Sequence, residues 1–158
     1  MKLSYLFPNR YKKIGLFILI PSIIVGLLVV IYELEPELLD LNVPAVFIDD
    51  IFGDKKLIGI TNNNILNEIF GVLLIISLIL VAFSKEKQED ELIAKIRLES
   101  LVWATYVNYA VLLVAMIFVF GLSFLWVMIF NMFTILLFFI IRFNWQVRNF
   151  NKSIGHEE

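Results

Sequence analysis

Four apolar runs divide the chain: Ile14 to Tyr32, Ile65 to Phe83, Leu101 to Phe120 and Leu122 to Ile141. Each holds 19 or 20 residues. At 1.5 Å rise per residue, that length carries a helix across a hydrocarbon core about 30 Å thick. The pattern predicts four transmembrane helices. The second run is the least regular, because Glu68 leaves only Ile69 to Phe83 free of charge. Its start is expected in the outer headgroup region, with Asn63 or Asn64 as N-cap. An acid near a helix N-terminus is favoured by the dipole, so Glu68 reads as an interface residue rather than an intramembrane site.

The polar intervals carry their own pattern. Residues 33–64 contain two β-prone runs, Val43 to Ile51 and Lys56 to Thr61, separated by Phe52-Gly53-Asp54-Lys55. Gly and Asp at such a break predict a β-hairpin, with Pro44 at its edge or start. An isolated hairpin is marginal in water, so this one needs support from the membrane or the helix ends. Lys85 to Ser100 reads as a helix running into the third span, with Glu91 and Lys95 spaced for an i,i+4 pair. Leu92, Ile93 and Ile96 form an apolar stripe on it, suited either to a partner protein or to lipid headgroups and the N-terminal segment. Gly121 makes the connection between the third and fourth spans so short that they must form an antiparallel hairpin. If the chain turns there, residues whose numbers sum to about 243 lie level.

Composition and charge sharpen this picture. With 60% hydrophobic residues and a mean hydropathy of +0.87, a chain of 158 residues cannot hide its apolar surface in a soluble core. Lysine and arginine cluster before the first span (Lys2, Arg10, Lys12, Lys13), between the second and third (Lys85, Lys87, Lys95, Arg97) and at the end (Arg142, Arg148, Lys152). Residues 33–64 carry seven acids against Lys55 and Lys56, and the turn at Gly121 carries no basic residue. The positive-inside rule then places both termini in the cytoplasm. Tyr11, Trp103 and Trp145 fall at the expected inner interface, Tyr32 and Trp126 at the outer one. The basic start resembles a signal peptide, but the apolar run is long, contains Pro21 and lacks a small-residue cleavage pattern, so it reads as a retained span.

Candidate chemistry is sparse. The chain has no cysteine and one histidine, His156, which excludes disulfides, thiolate nucleophiles, triads and histidine zinc sites. Asp49, Asp50 and Asp54 are the only candidate metal ligands, for Mg²⁺ or Ca²⁺, and their spacing fits a solvated acidic turn better than an EF-hand. Thr105, Asn108, Asn131 and Thr134 are polar positions in the third and fourth spans, and Asn108 and Thr134, whose numbers sum to 242, are expected to lie level in the hairpin. Small and polar residues there suit interhelical packing and hydrogen bonding more than a solute path. Ser22 and Gly26 add a small-xxx-small pair in the first span. Basic residues divided among the inner segments signal topology, not nucleic-acid binding. No cofactor is expected, and no acid, base and nucleophile set for an enzyme is visible.

The run Phe83-Ser84-Lys85-Glu86-Lys87-Gln88-Glu89-Asp90-Glu91-Leu92, with Arg97-Leu98-Glu99-Ser100-Leu101-Val102-Trp103-Ala104 and Tyr106-Val107-Asn108-Tyr109, resembles a group of small four-helix bacterial membrane proteins of no known activity. Pro8 to Gly15, Phe130 to Thr134 and Ile141 to Asn144 extend the likeness over nearly the whole chain. The charged helix leading into a span is also similar to small membrane proteins encoded beside helix-turn-helix regulators, which implies a companion role. The expectation is one all-α membrane domain over 1–158, a four-helix bundle with spans 14–32, 65–83, 101–120 and 122–141. An outer segment 33–64 and a cytoplasmic helix 85–100 complete it, in a bacterial inner membrane. Its expected function is regulatory or interactive, through the bilayer, a second copy or a protein partner. The alternative is an oligomeric transporter or ion-conducting component.

Overall fold

A computed structural model describes residues 5–48 and 56–154. In chain order it contains α1 (Asn9–Tyr32), a 3-10 turn (Glu37–Leu39), β1 (Asp40–Ile48), β2 (Lys56–Asn64), α2 (Leu66–Ala82), α3 (Glu91–Phe118) and α4 (Leu122–Ile154). The chain divides into two compact units, Met1–Leu19 with Leu74–Glu158 and, separately, Ile20–Leu73.

Three helices, α1, α3 and α4, are long and apolar enough to cross a membrane. Of the four spans expected, the second, α2, falls short of that length. With 17 residues, α2 rises only about 25 Å, short of the hydrocarbon thickness. The helical ladder does continue past both ends, through Ile69 N to Ile65 O (3.0 Å) and Phe83 N to Ile79 O (3.0 Å). Much of the helical apolar surface points outward: Phe17, Leu113 and Phe118 are 81%, 60% and 75% exposed. Such a surface requires an apolar surrounding, and in lipid an α-helix satisfies its own backbone polar groups.

In the larger unit the buried positions form stripes. On α2 they are Ser77, Leu78, Val81 and Ala82; on α3, Ile93, Arg97, Ser100, Ala104 and Asn108. On α4, Phe139, Ile140, Phe143 and Val147 are buried. Gly15 of α1 packs against α2 so closely that a Cβ added there would lie 2.9 Å from Val81 Cγ2 and 3.1 Å from the Ser77 carbonyl oxygen. The sequence reading looked for close approach at Ser22 and Gly26. Ser22 is buried, but a Cβ on Gly26 would meet only Phe70, at 3.9 Å.

The α3–α4 hairpin turns earlier than expected. The backbone N–H of Val119 donates to the Ala115 carbonyl and ends α3, and Gly121 takes φ +68°, a conformation open to glycine. The turn therefore centres near residue 120, and level residues sum to about 240 rather than 243. Asn131, not Thr134, is thus the partner of Asn108.

In the smaller unit, α1 ends in a Schellman-type closure, with Glu33 at φ 49° and Leu34 N donating to Val29 O (3.1 Å). The expected hairpin forms, with β1 starting three residues before its β-prone run and β2 ending three residues beyond its own: the strands pair antiparallel from Asp40↔Asn64 to Ile48↔Lys56, and residues 49–51 of the first run lie outside the described residues. Pro44 lies mid-strand opposite Ile60, which a two-stranded sheet permits because every strand there is an edge. Asn64 ties the hairpin to the next helix. Its amide donates to Asp40 Oδ1 (2.7 Å) and the Pro36 carbonyl (2.9 Å), and its Oδ1 accepts from Leu66 N (3.3 Å). Glu68 is exposed and accepts from Asn63 Nδ2 (2.8 Å).

Candidate functional site at the shared end of the helices

The polar structure of the larger unit gathers where α1 begins, α2 ends, α3 begins and α4 runs toward its C-terminus. Its frame is backbone. Phe7 N donates to Phe83 O (2.9 Å) and Lys85 N to Phe7 O (2.8 Å), a short parallel bridge, and Asn9 Nδ2 reaches Lys85 O (2.7 Å). The segment after α2 is thereby pinned to the start of α1.

Residues 85–90, expected to begin a helix, are not helical. Asp90 instead caps α3, its carboxylate accepting from Ile93 N at 2.8 Å. The preceding residues are held by side chains. Glu89 accepts both Arg97 Nη2 contacts (3.0 and 3.1 Å) and also the Glu86 N–H (2.8 Å). Arg97 Nη1 donates to the Ala82 carbonyl, 3.1 Å away, capping an open acceptor at the end of α2. Lys12 pairs with Glu86 and donates to Asn144 Oδ1 (2.9 Å), joining α1, the connection and α4.

Aromatic rings receive these cations. The Arg97 guanidinium lies 4.5 Å from the Phe143 ring centroid and Lys12 Nζ 5.9 Å from it. Phe143 stacks on Phe139, which stacks on Phe83. Arg142 sits 4.6 Å above Trp103. Arg97 is 4% exposed, and such burial requires its charge to be paired. Arg97 Nε and Arg142 Nε are buried without a hydrogen-bond partner among the described residues.

A cavity of about 430 Å³ opens beside this cluster. Asn9, Lys12 and Lys13 of α1 form one wall, Glu86 to Gln88 with Asp90 another, and Val147, Phe150 and Asn151 of α4 a third. Leu16 and Ile93 contribute further apolar surface.

The residues singled out from sequence fall elsewhere. Asn108, 3% exposed, exchanges long hydrogen bonds of 3.3 and 3.5 Å with Asn131. Thr105 and Thr134 bond back to the Leu101 and Phe130 carbonyls of their own helices. Of the apolar stripe, Ile93 is buried within the unit, Leu92 is 41% exposed and Ile96 is intermediate. Lys95, spaced from Glu91 for an i,i+4 pair, contacts Glu99 at 3.9 Å. Asp49, Asp50, Asp54 and His156 lie outside the described residues.

The Arg97–Glu89 and Lys12–Glu86 pairs are not apparent from the charge pattern, in which Lys12 and Arg97 enter only as topology signals. A signal was present: Arg97 is in phase with Ile93, Ser100 and Ala104, which marks a cation on the buried face of α3. Comparison with protein-family models, with curated proteins and with solved structures finds no match to this chain.

Proposed function

We propose that this chain is a four-pass integral membrane protein of the bacterial inner membrane, with both termini cytoplasmic, acting as a non-enzymatic interaction component. The return path supports the fourth crossing. α1 starts and α4 finishes in the same unit, joined by Lys12 and Asn144, so an even number of passes is needed. Counting Ile65 to Phe83, whose end bonds continue the helix, α2 reaches 19 residues, about 28 Å. The three basic clusters orient that shared end toward the cytoplasm.

The observation that carries the interaction reading is the ordered polar platform at that end. Asp90, Glu89 and Arg97 fix the start of α3, and Leu92 stands exposed on its first turn. A rigid presenting helix lowers the ordering cost of binding. A conducting role is less favoured, because Asn108 and Asn131 spend their amides on each other between α3 and α4.

The test is co-purification of the full chain in mild detergent, after crosslinking in the native membrane. A specific partner, or a second copy, should be recovered with the wild type and lost with Leu92→Glu plus Ile96→Glu, while the variant stays monodisperse. Equal recovery by wild type and variant refutes the assignment of this face. Solute flux in proteoliposomes that Asn108→Leu abolishes would favour the transport alternative.

A further inference from the structure

The cavity at the shared end has a chemical character that the interaction reading does not use. Among the described residues its lining holds three lysines, Lys12, Lys13 and Lys87, against two carboxylates, Glu86 and Asp90. Both carboxylates are engaged: Glu86 pairs with Lys12, and Asp90 caps Ile93 N. Lys13 and Lys87 are exposed and have no hydrogen bond or ion pair among the described residues. Two uncommitted lysines therefore line one space, together with Asn9 and Asn151. Gln88 adds one more polar side chain, and Leu16, Ile93, Val147 and Phe150 supply an apolar wall.

We propose that this cavity binds a phosphate-bearing anion, held by Lys13 and Lys87, and that its source is the headgroup of an anionic phospholipid. The two-part lining carries the choice of source. A free phosphate would use only the cationic rim, whereas a lipid headgroup also brings glycerol and acyl carbons to lie on the apolar wall. A basic pocket at the end of a helix bundle is suited to anionic lipid, since each lysine near such a surface contributes about 1 kcal/mol, or about fivefold in affinity. Size agrees as well, since about 430 Å³ is within the range of small-molecule sites. The proposal rests on the membrane embedding but not on the existence of a protein partner.

The experiment uses the full chain, purified in a neutral detergent, and counts retained lipid by native mass spectrometry. Phosphatidylglycerol and phosphatidylcholine of matched acyl chains are offered separately, and inorganic phosphate is then titrated in as competitor. Phosphatidylglycerol should be retained in preference to phosphatidylcholine. Lys13→Gln with Lys87→Gln should lower that preference about 25-fold, and Lys13→Arg with Lys87→Arg should preserve it. Displacement by millimolar phosphate with no lipid preference supports an anion site but assigns it to a soluble source. Equal retention of the two lipids with no phosphate binding overturns the proposal, as does a preference untouched in the glutamine variant. Because no partner protein is present, failure of the crosslinking test leaves this result readable, and the reverse also holds.

Discussion

Adding one methyl group at Gly15 tests whether α1 and α2 are in backbone contact. An alanine Cβ there would sit 2.9 Å from Val81 Cγ2, 3.0 Å from Leu80 Cβ and 3.1 Å from Ser77 O. Two of these neighbours, a Cβ and a backbone oxygen, cannot swing aside, so the helices must separate. Overpacking of this kind costs about 1–3 kcal/mol, and the better helix propensity of alanine returns about 1 kcal/mol at most. Gly15→Ala should then destabilise by roughly 1–2 kcal/mol, a fall in Tm of about 2–6 °C for a chain of this size. Gly71→Ala is the internal control: it lies in α2, and its Cβ would meet nothing within 4 Å. It should leave Tm unchanged or raise it. Thermal unfolding of both variants in one detergent, followed by loss of the monodisperse peak, gives the comparison. A Gly15→Ala protein at least as stable as Gly71→Ala would refute the close approach.

Two further substitutions probe the polar contacts. Asn108→Leu and Asn131→Leu, singly and together, should give a coupling energy of about 0.5–1 kcal/mol in a double-mutant cycle, while Asn108→Leu with Thr134→Val should show none. Coupling to Thr134 instead would restore the later hairpin register. Arg97→Met should lower stability by about 2–4 kcal/mol by stranding Glu89 and uncapping Ala82, with Glu89→Met recovering part of the loss. Arg97→Lys should cost about half as much, because it keeps the charge but not the planar fork. A neutral Arg97→Met in equilibrium unfolding would show that the buried pair contributes nothing.

What was legible in the sequence follows the range of the interactions. Apolar run lengths and basic clusters are written in consecutive residues, so the helices, the turn near Gly121 and the β-hairpin emerged close to their observed places. Asn64 caps the start of α2 as expected, whereas α3 starts at Glu91 rather than Lys85 because Asp90 caps it through a single side-chain bond. The site was mostly hidden. Lys12 meets Glu86 and Asn144, and Phe7 meets Phe83, across separations that no local pattern encodes. Gly15 was passed over for a related reason. Small residues are common in membrane helices, and only the partner helix shows which of them is crowded. Thr134 lost to Asn131 as the mate of Asn108 because the turn came one residue earlier than its glycine suggested.

The Phe7 bridge also sets an order of events during synthesis. Its bonding partners, Phe83 and Lys85, follow more than seventy residues later, as does the Lys85 carbonyl that Asn9 reaches across 76 positions. At ribosomal speeds of about 5–20 residues per second, roughly 4–15 s pass before they exist. For that interval the first helix leaves the ribosome with its leading strand unmated, and a nascent chain stopped short of α2 has nothing to close on. The residues that follow α2 therefore time the beginning of the chain: the N-terminal clasp shuts only once synthesis has passed Lys85.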